Sequence, residues 1–298
     1  MAEYLPLEQR QPDSQYQDLL RRIMTEGEEV TPIHGEKAKM VLGAQLRYKM
    51  ENGFPAITER NVSNNLFNGA LAEHIAFLNG ARTQAELEAF GCKWWDRWVT
   101  KEKCEIFGLE EGDLGPGSYG AAWTQFPTAE GEPFNQIEHV IQQIKERPYL
   151  RTHVISPWIP QYTIQHEGLT RKVVVAPCHG FIHVVTNPEK KELSVHHFQR
   201  SGDVPVGVPF NMIQYAGFGL MLEKILGYKF KEIVYTFSDA HIYESQYGHV
   251  EELLSREPMK LGVVALKKTL DDITQYRPSD FELSEYESHP GMRIPTPV

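Results

Sequence analysis

Cysteine is scarce and scattered: the 298 residues contain three, Cys92, Cys104 and Cys178. An odd count without disulfide or metal-ligand spacing excludes a stapled secreted scaffold and a zinc site, so no metal is expected and a reduced, intracellular setting follows. Positive charge is also short. The 30 Lys and Arg against 40 Asp and Glu leave a formal charge of −10, which excludes a nucleic-acid partner as the expectation, because phosphate backbones need a net basic stripe. Local basic groups can still hold one small phosphate. Long hydrophobic runs are missing too. The longest apolar stretch, Phe210 to Leu222, holds Asn211 and Gln214 and ends at Glu223-Lys224, too short and too polar to cross a membrane. No basic and apolar leader opens the chain, so MAEYLPLEQRQPDSQ reads as a mature N-terminus and a cytoplasmic location is expected. No repeat or low-complexity linker is visible.

What is present is the composition of an ordinary globular protein, 41% hydrophobic and 23% charged, with periodic segments that alternate in kind. A helix is expected over 16–28, where Leu19, Leu20 and Ile23 share a face and Gly27 marks the end. A glycine-punctuated loop leads into a short alternating strand at GAQLRY. A second helix over GALAEHIAFLNGARTQAELEAF carries Leu71, Ile75 and Leu78 on one face, with Gly80 as a stop, and IEHVIQQIKE is a third. Residues 92–135, rich in Gly, Trp and Pro, read as loops and turns lining a cleft. Strand patterns then dominate: HVISPW, RKVVVAPCHGFIHVV, ELSVHHFQ, EIVYTFSD and KLGVVALKK, with an apolar helix over 210–227. The expectation is a single α/β (α+β) domain, a mixed β-sheet covered by helices. The tail HPGMRIPTPV is expected to be extended, and mobile unless a ligand pins it.

Within the run VVVAPCHGFIHVV a thiol and an imidazole stand side by side. In a strand, neighbours point to opposite faces, so Cys178 and His179 cannot be a nucleophile and its own base. A Cys-His hydrolase would need a base from elsewhere, such as His241. On its own, Cys178 reads equally as a small buried hydrophobe. The next segment, HHFQRSGDVPVGVPFNMIQYAGFGLMLEK, adds Arg200, Ser201, Asp203, Gly207, Pro209, Phe210 and Asn211. A guanidinium beside a hydroxyl makes a phosphate clamp. An Asn on the first turn of a buried helix offers the donor and acceptor needed to read a uracil edge. An arginine near a cysteine lowers the thiol pKa. Each also has a plainer reading: Arg200 as a surface charge, Asp203 as a turn former, Asn211 as a cap.

APCHGFIHVV, FQRSGDVPVGVPFNMIQYA and SDAHIY, in this order and spacing, resemble the thymidylate synthase family. GAQLRY with NGFPAIT, AEHIAFLNG, WWDRW, DLGPGSYG, SPW and the terminal HPGMRIPTPV extend the likeness from about residue 16 to the end, so residues 1–15 are expected to be an N-terminal extension and 16–298 a catalytic domain. The resemblance implies that Cys178 adds to C6 of a pyrimidine nucleoside monophosphate, with His179 beside it, and that C5 then attacks the methylene of 5,10-methylenetetrahydrofolate, the folate cosubstrate. It implies that Glu73 handles the C5 proton and water; without the resemblance, Glu73 is a solvated helix carboxylate. Asn211 would read the base, His241 and Tyr243 would hold the sugar hydroxyl, and Arg200 with Ser201 the phosphate. Asp203, Gly207 and Phe210 would border the pterin, with Trp95 stacking near it; Trp95 is otherwise plain core. The tail would close over the folate. A homodimer packed sheet to sheet is also implied, with Arg151 reaching the partner's phosphate site and Thr152 standing where the family has a second arginine.

The departures bear on the reaction. The family's phosphate loop carries an Arg-Thr-Gly-Thr pattern where this chain has Ile33-His34-Gly35-Glu36. Lys37 or Lys39 would be the substitutes for the lost arginine, without its bidentate fork. Each lost charged contact costs about 1.5–3 kcal/mol. Ala76 replaces a tryptophan, His183 a glutamine, and Ser245-Gln246 an Asn-His pair. Two enzymatic readings follow: dUMP to dTMP, supported by Asn211 and the intact tail, or a C5-hydroxymethylase in which water captures the exocyclic methylene in a widened site. A nucleotide-binding regulator without turnover and the Cys-His hydrolase are the remaining alternatives.

Overall fold

The centre of the structure, a computed structural model describing residues 3–32 and 35–297, is a strand–helix–strand unit. Strand β5 (Glu192–Asp203) alternates buried Leu193, Val195, His197 and Gln199 with exposed His196, Phe198 and Arg200. It returns through a long helix, Gly207–Leu226, to pair in parallel with β6 (Lys229–Tyr243). A parallel pair needs such a crossover, and a helix that is apolar on every side has to be buried to be stable. It can lie this close to β6 because residue 219 is glycine: a Cβ there would stand 2.3 Å from the Phe230 ring.

Around this unit the sheet grows by antiparallel neighbours. Strands β1 (Glu28–Val30), β2 (Ala38–Lys49), β3 (Val154–Ile155) and β4 (Phe181–Asn187) complete the order β1-β2-β6-β5-β4-β3, and β7 (Val263–Leu266) pairs β8 (Phe281–Ser284) apart from it. In chain order the helices are α1 (Gln15–Glu26), α2 (Asn65–Leu78), α3 (Gln84–Ala89), α4 (Lys101–Glu105), α5 (Tyr119–Thr124), α6 (Gln136–Glu146), α7 (Pro160–Thr163), α8 (Gly207–Leu226) and α9 (Tyr247–Ser255). One mixed sheet with helices against it is the architecture expected from the sequence. No helix among the described residues is long and apolar enough to cross a membrane. Ahead of α1, Tyr4 Oη donates to Val264 O on β7 at 3.0 Å and the fully buried Arg10 to Leu261 O just before it at 2.7 Å, which ties this segment to the β7–β8 hairpin.

Several local expectations are corrected. The GAQLRY strand is twelve residues long, not short. The second helix does stop ahead of Gly80, which sits at φ +82°, but ARTQAELEAF beyond it forms a separate short helix, α3, and from Gly69 to Leu78 α2 is buried on every side against α8 and α5 rather than on one face. The strand expected over 173–185 begins only at Phe181. Pro177 has no N–H to give a ladder, and Gly180 sits at φ +94°, so 173–180 leaves the sheet. The tail is already tethered by the protein: His289 N donates to Thr58 O, Arg256 Nη1 to Pro290 O and Gln246 Nε2 to Pro295 O at 2.9 Å, and Ile294 is buried.

Candidate active site

Two hollows meet at Cys178. One, of about 950 Å³, is lined among others by Arg171, Arg200, Ser201, His241 and Tyr243; the second, of about 540 Å³, by Glu73, Trp94, Trp95, Tyr119, Phe210 and Asn211. Cys178, Ser201, Asp203, Trp98 and Thr296 line both, and His179 and Gly207 the second. The structure therefore brings together every expected site residue except Arg151, which is exposed ahead of β3 and faces neither hollow within one chain. Of the expected cleft segment 92–135, residues 93–98, 106, 107 and 119 do the lining.

The loop carrying Cys178 is held by a residue 22 positions away. Arg200 donates from Nε to Pro177 O and from Nη2 to Ala176 O, both at 2.8 Å, its own N–H bonds Cys178 O at 2.8 Å, and Nη2 stands 3.3 Å from Sγ. Tyr119 Oη accepts from Cys178 N at 2.8 Å. The neighbouring guanidinium pulls the thiol pKa down as expected, but burial outweighs it and the thiol is held above its ordinary value. The side chain touches the hollows while protein atoms crowd it on its other sides. Opposite-face geometry cannot be invoked for Cys178 and His179, because they do not lie in a strand. Sγ nevertheless bonds only Arg200 and Ala176 O among the described residues, and His179 turns its Nδ1 to Tyr215 Oη at 2.5 Å while stacking on Tyr119. Burial depresses His179 to about 3, so it is neutral. His241 Nδ1 is engaged by Asp239 at 3.0 Å. Among the described residues no imidazole hydrogen-bonds the sulfur.

Glu73 is buried on α2, 7% exposed, rather than solvated. Trp95 Nε1 donates to Oε1 and Gln214 Nε2 to Oε2, each at 2.5 Å. Burial raises the Glu73 pKa and these two donors partly offset it, an environment of the kind that tunes a carboxyl for proton transfer. Trp95 is thereby a partner of Glu73, and its ring packs edge-on to Phe77 and Tyr119. Asn211 is buried on α8 between Gln199 and Gln214. Asp203 is pushed up to about 6 by burial, against the pull of His241 and of Gln246, whose Nε2 reaches both of its oxygens at 3.2 and 3.1 Å.

The expected phosphate-binding side chains are partly engaged within the protein. Ser201 Oγ donates to Asp239 Oδ2 at 2.7 Å, and two of the Arg200 nitrogens are spent on the backbone. Lys37 is paired with Glu29 and Lys39 with Met24 O, each at 2.7 Å, and neither lines a hollow. Ile33 and His34 lie outside the described residues. Sequence reasoning missed Arg171. It lines the larger hollow with Arg200, rests on the Phe107 ring at 4.5 Å, donates to Val174 O at 2.9 Å, and its buried Nε has no partner among the described residues. Burial and the nearby Arg200 lower its pKa. Nothing in its surroundings, LTRKVVV, marks it. Tyr119 and Gln199 sit in the quoted motifs DLGPGSYG and FQRSGD and were legible there. Ala76 is fully buried and, like His183 on β4, lines neither hollow. No three His, Cys, Asp or Glu side chains converge on a metal-sized site among the described residues.

A family model described as thymidylate synthase matches residues 14–298, nearly the whole chain. With Cys178, Glu73 and Asn211 facing one cavity, the protein belongs to the thymidylate synthase family and is an enzyme, a methyltransferase or related hydroxymethyltransferase for one-carbon transfer to pyrimidine C5 from methylenetetrahydrofolate.

Proposed function

We propose that the chain converts dUMP to dTMP, with Cys178 as the nucleophile. The observation that carries this reading is a buried carboxyl and a buried amide lining one hollow with a sulfur that a guanidinium approaches. The thiolate adds to C6 of the pyrimidine, the electron pair moves to C5, and C5 attacks the one-carbon unit of the folate. Arg200 stabilises the anionic sulfur, and Asn211 holds the base edge. Glu73, raised by burial, is poised to protonate the base oxygen and to pass the C5 proton to water. His241 and Tyr243 take the sugar hydroxyl. The folate fits the smaller hollow: Trp94, Trp95, Trp98 and Phe210 give it flat apolar walls and Asp203 one polar group. When bound it supplies the methylene and the reducing hydride. The tethered tail, whose Thr296 reaches both hollows, helps keep water out.

For the phosphate, Arg200, Ser201 and Arg171 take the role that the phosphate loop lacks, with Arg151 delivered from a second copy. The hydroxymethylase reading needs a wider site at Ala76 and His183, and their positions away from both hollows favour the methyl product. The test is incubation with dUMP and methylenetetrahydrofolate while dihydrofolate absorbance and product mass are followed. Equimolar dihydrofolate with a methyl mass gain is expected, and Cys178→Ala should abolish turnover while retaining nucleotide binding. A hydroxymethyl mass gain without dihydrofolate would overturn it.

A further inference from the structure

Between Glu73 and Asn211 stands a residue that faces neither hollow. Gln214 lies three positions after Asn211 on α8, so both side chains leave the same side of the helix. Its Nε2 donates to Glu73 Oε2 at 2.5 Å and its Oε1 accepts from Asn211 Nδ2 at 3.0 Å. The line continues: Gln199 Nε2 donates to Asn211 Oδ1 at 3.4 Å, and Tyr235 Oη donates to Gln199 Oε1. Gln214 is 1% exposed, Gln199 3% and Tyr235 fully buried, so no water competes for these bonds.

An amide can turn end for end wherever its neighbours accept either end. A partner with a single role removes that freedom. In its ionised form, in which both oxygens accept, one from Trp95 and one from Gln214, Glu73 requires the NH₂ end of Gln214. That turns Oε1 toward Asn211, requires the NH₂ end of Asn211 in reply, and leaves Oδ1 for the donor on Gln199. A tyrosine hydroxyl can donate or accept, so the far end imposes nothing. Direction is set at Glu73 and transmitted by Gln214.

The consequence falls on the ligand. The edges of uracil and cytosine are opposites: N3–H and a carbonyl in one, a bare N3 and an amine in the other. An Asn free to turn serves both; an Asn held one way serves one.

Resting on the uracil nucleotide reading above, we propose that Gln214 is a specificity-determining positioning residue, which locks the Asn211 amide in the orientation that pairs with uracil and rejects cytosine. It does not touch substrate, so its signature is a ratio rather than a rate.

The experiment is titration calorimetry of dUMP and dCMP with the whole protein. For Gln214→Met, which fills the space without hydrogen bonds, the dUMP preference should fall at least about tenfold as Asn211 gains freedom to turn. Equal weakening of both nucleotides, or an unchanged ratio, would overturn the proposal. Gln214→Glu covers the case in which the methionine protein does not fold. A carboxyl at 214 still accepts from Asn211 but opposes Glu73, so the dUMP preference should persist while kcat drops; loss of preference there would also refute the relay. Should the unaltered protein bind neither nucleotide, the uracil reading itself falls and takes the relay with it.

Discussion

Nη2 of Arg200 lies 3.3 Å from Sγ of Cys178, and the same guanidinium holds the carbonyls of Ala176 and Pro177. One side chain thus does two jobs: it shapes the loop and opposes the burial that raises the thiol pKa. The two can be separated. Arg200→Lys keeps the charge without the fork, and Arg200→Met keeps neither. Alkylation by iodoacetamide, followed against pH, should have its midpoint above that of an ordinary thiol in the unaltered protein. Arg200→Met should move the midpoint higher still and cut turnover at least about tenfold, the size of a lost charged contact. Arg200→Lys should move the midpoint less while loosening residues 176–178, seen as faster amide exchange there.

Arg171 and Arg200 share a hollow and repel one another, and a bound dianion relieves that repulsion. Arg171→Ala should therefore weaken binding of the nucleotide by about 1.5–3 kcal/mol, roughly tenfold to a hundredfold in Kd. Binding of the uncharged nucleoside should barely change. Calorimetry with dUMP and deoxyuridine side by side measures the difference; equal losses for both would assign Arg171 to loop packing over Phe107.

How much of this was legible follows a physical line. The periodic elements were: α6 shows Ile137, Val140, Ile141 and Ile144 at helical spacing and buries all four. The motif residues at the end of β5 and the start of α8 were also legible, because a strand followed by a buried helix carries them to one place. Long-range polar bonds were not. A run of Val, Val, Val and Ala before Pro177 reads as strand until Arg200 is known to take its carbonyls. Gln214 reads as a stray polar residue in an apolar helix until Glu73 is known to face it. Lys37 and Lys39 are cations in the right stretch of sequence, claimed by Glu29 and Met24.

Asp203 makes the stability of the protein depend on pH. Its folded pKa of about 6 lies above the ordinary 3.8, mainly through burial, so between these values the folded protein holds a proton that the unfolded chain has released. Stability from this group is fully present below about pH 4 and is lost as pH rises through about 6, by roughly 2–3 kcal/mol. Asp203→Asn should reduce the slope and leave the part due to Glu59, which burial raises to about 7. Denaturant unfolding at pH 4.5 and 7.5 measures it, and a slope unchanged in the variant would show that Asp203 does not gain a proton on folding.

The face of the sheet opposite α8 carries Phe181, Val185 and Phe198, exposed at 40, 47 and 39%, and Phe181 pairs directly across from Phe198 in the β4–β5 ladder. Apolar side chains clustered on a sheet without a helix over them mark a surface made to be covered, and the proposed cover is the same face of a second copy. Phe198→Glu places a charge at its centre and should shift the protein from dimer to monomer in sedimentation analysis. Activity should fall with it, because Arg151 faces no hollow in its own chain and would then have no partner site to complete. Arg151→Ala should leave the dimer intact and weaken nucleotide binding at least about tenfold. Mixing Arg151→Ala with Cys178→Ala chains gives the decisive reading. In a mixed dimer one site regains both an intact Cys178 and an intact Arg151 from opposite copies, so activity should return after subunit exchange; no recovery would mean that each chain builds its site alone.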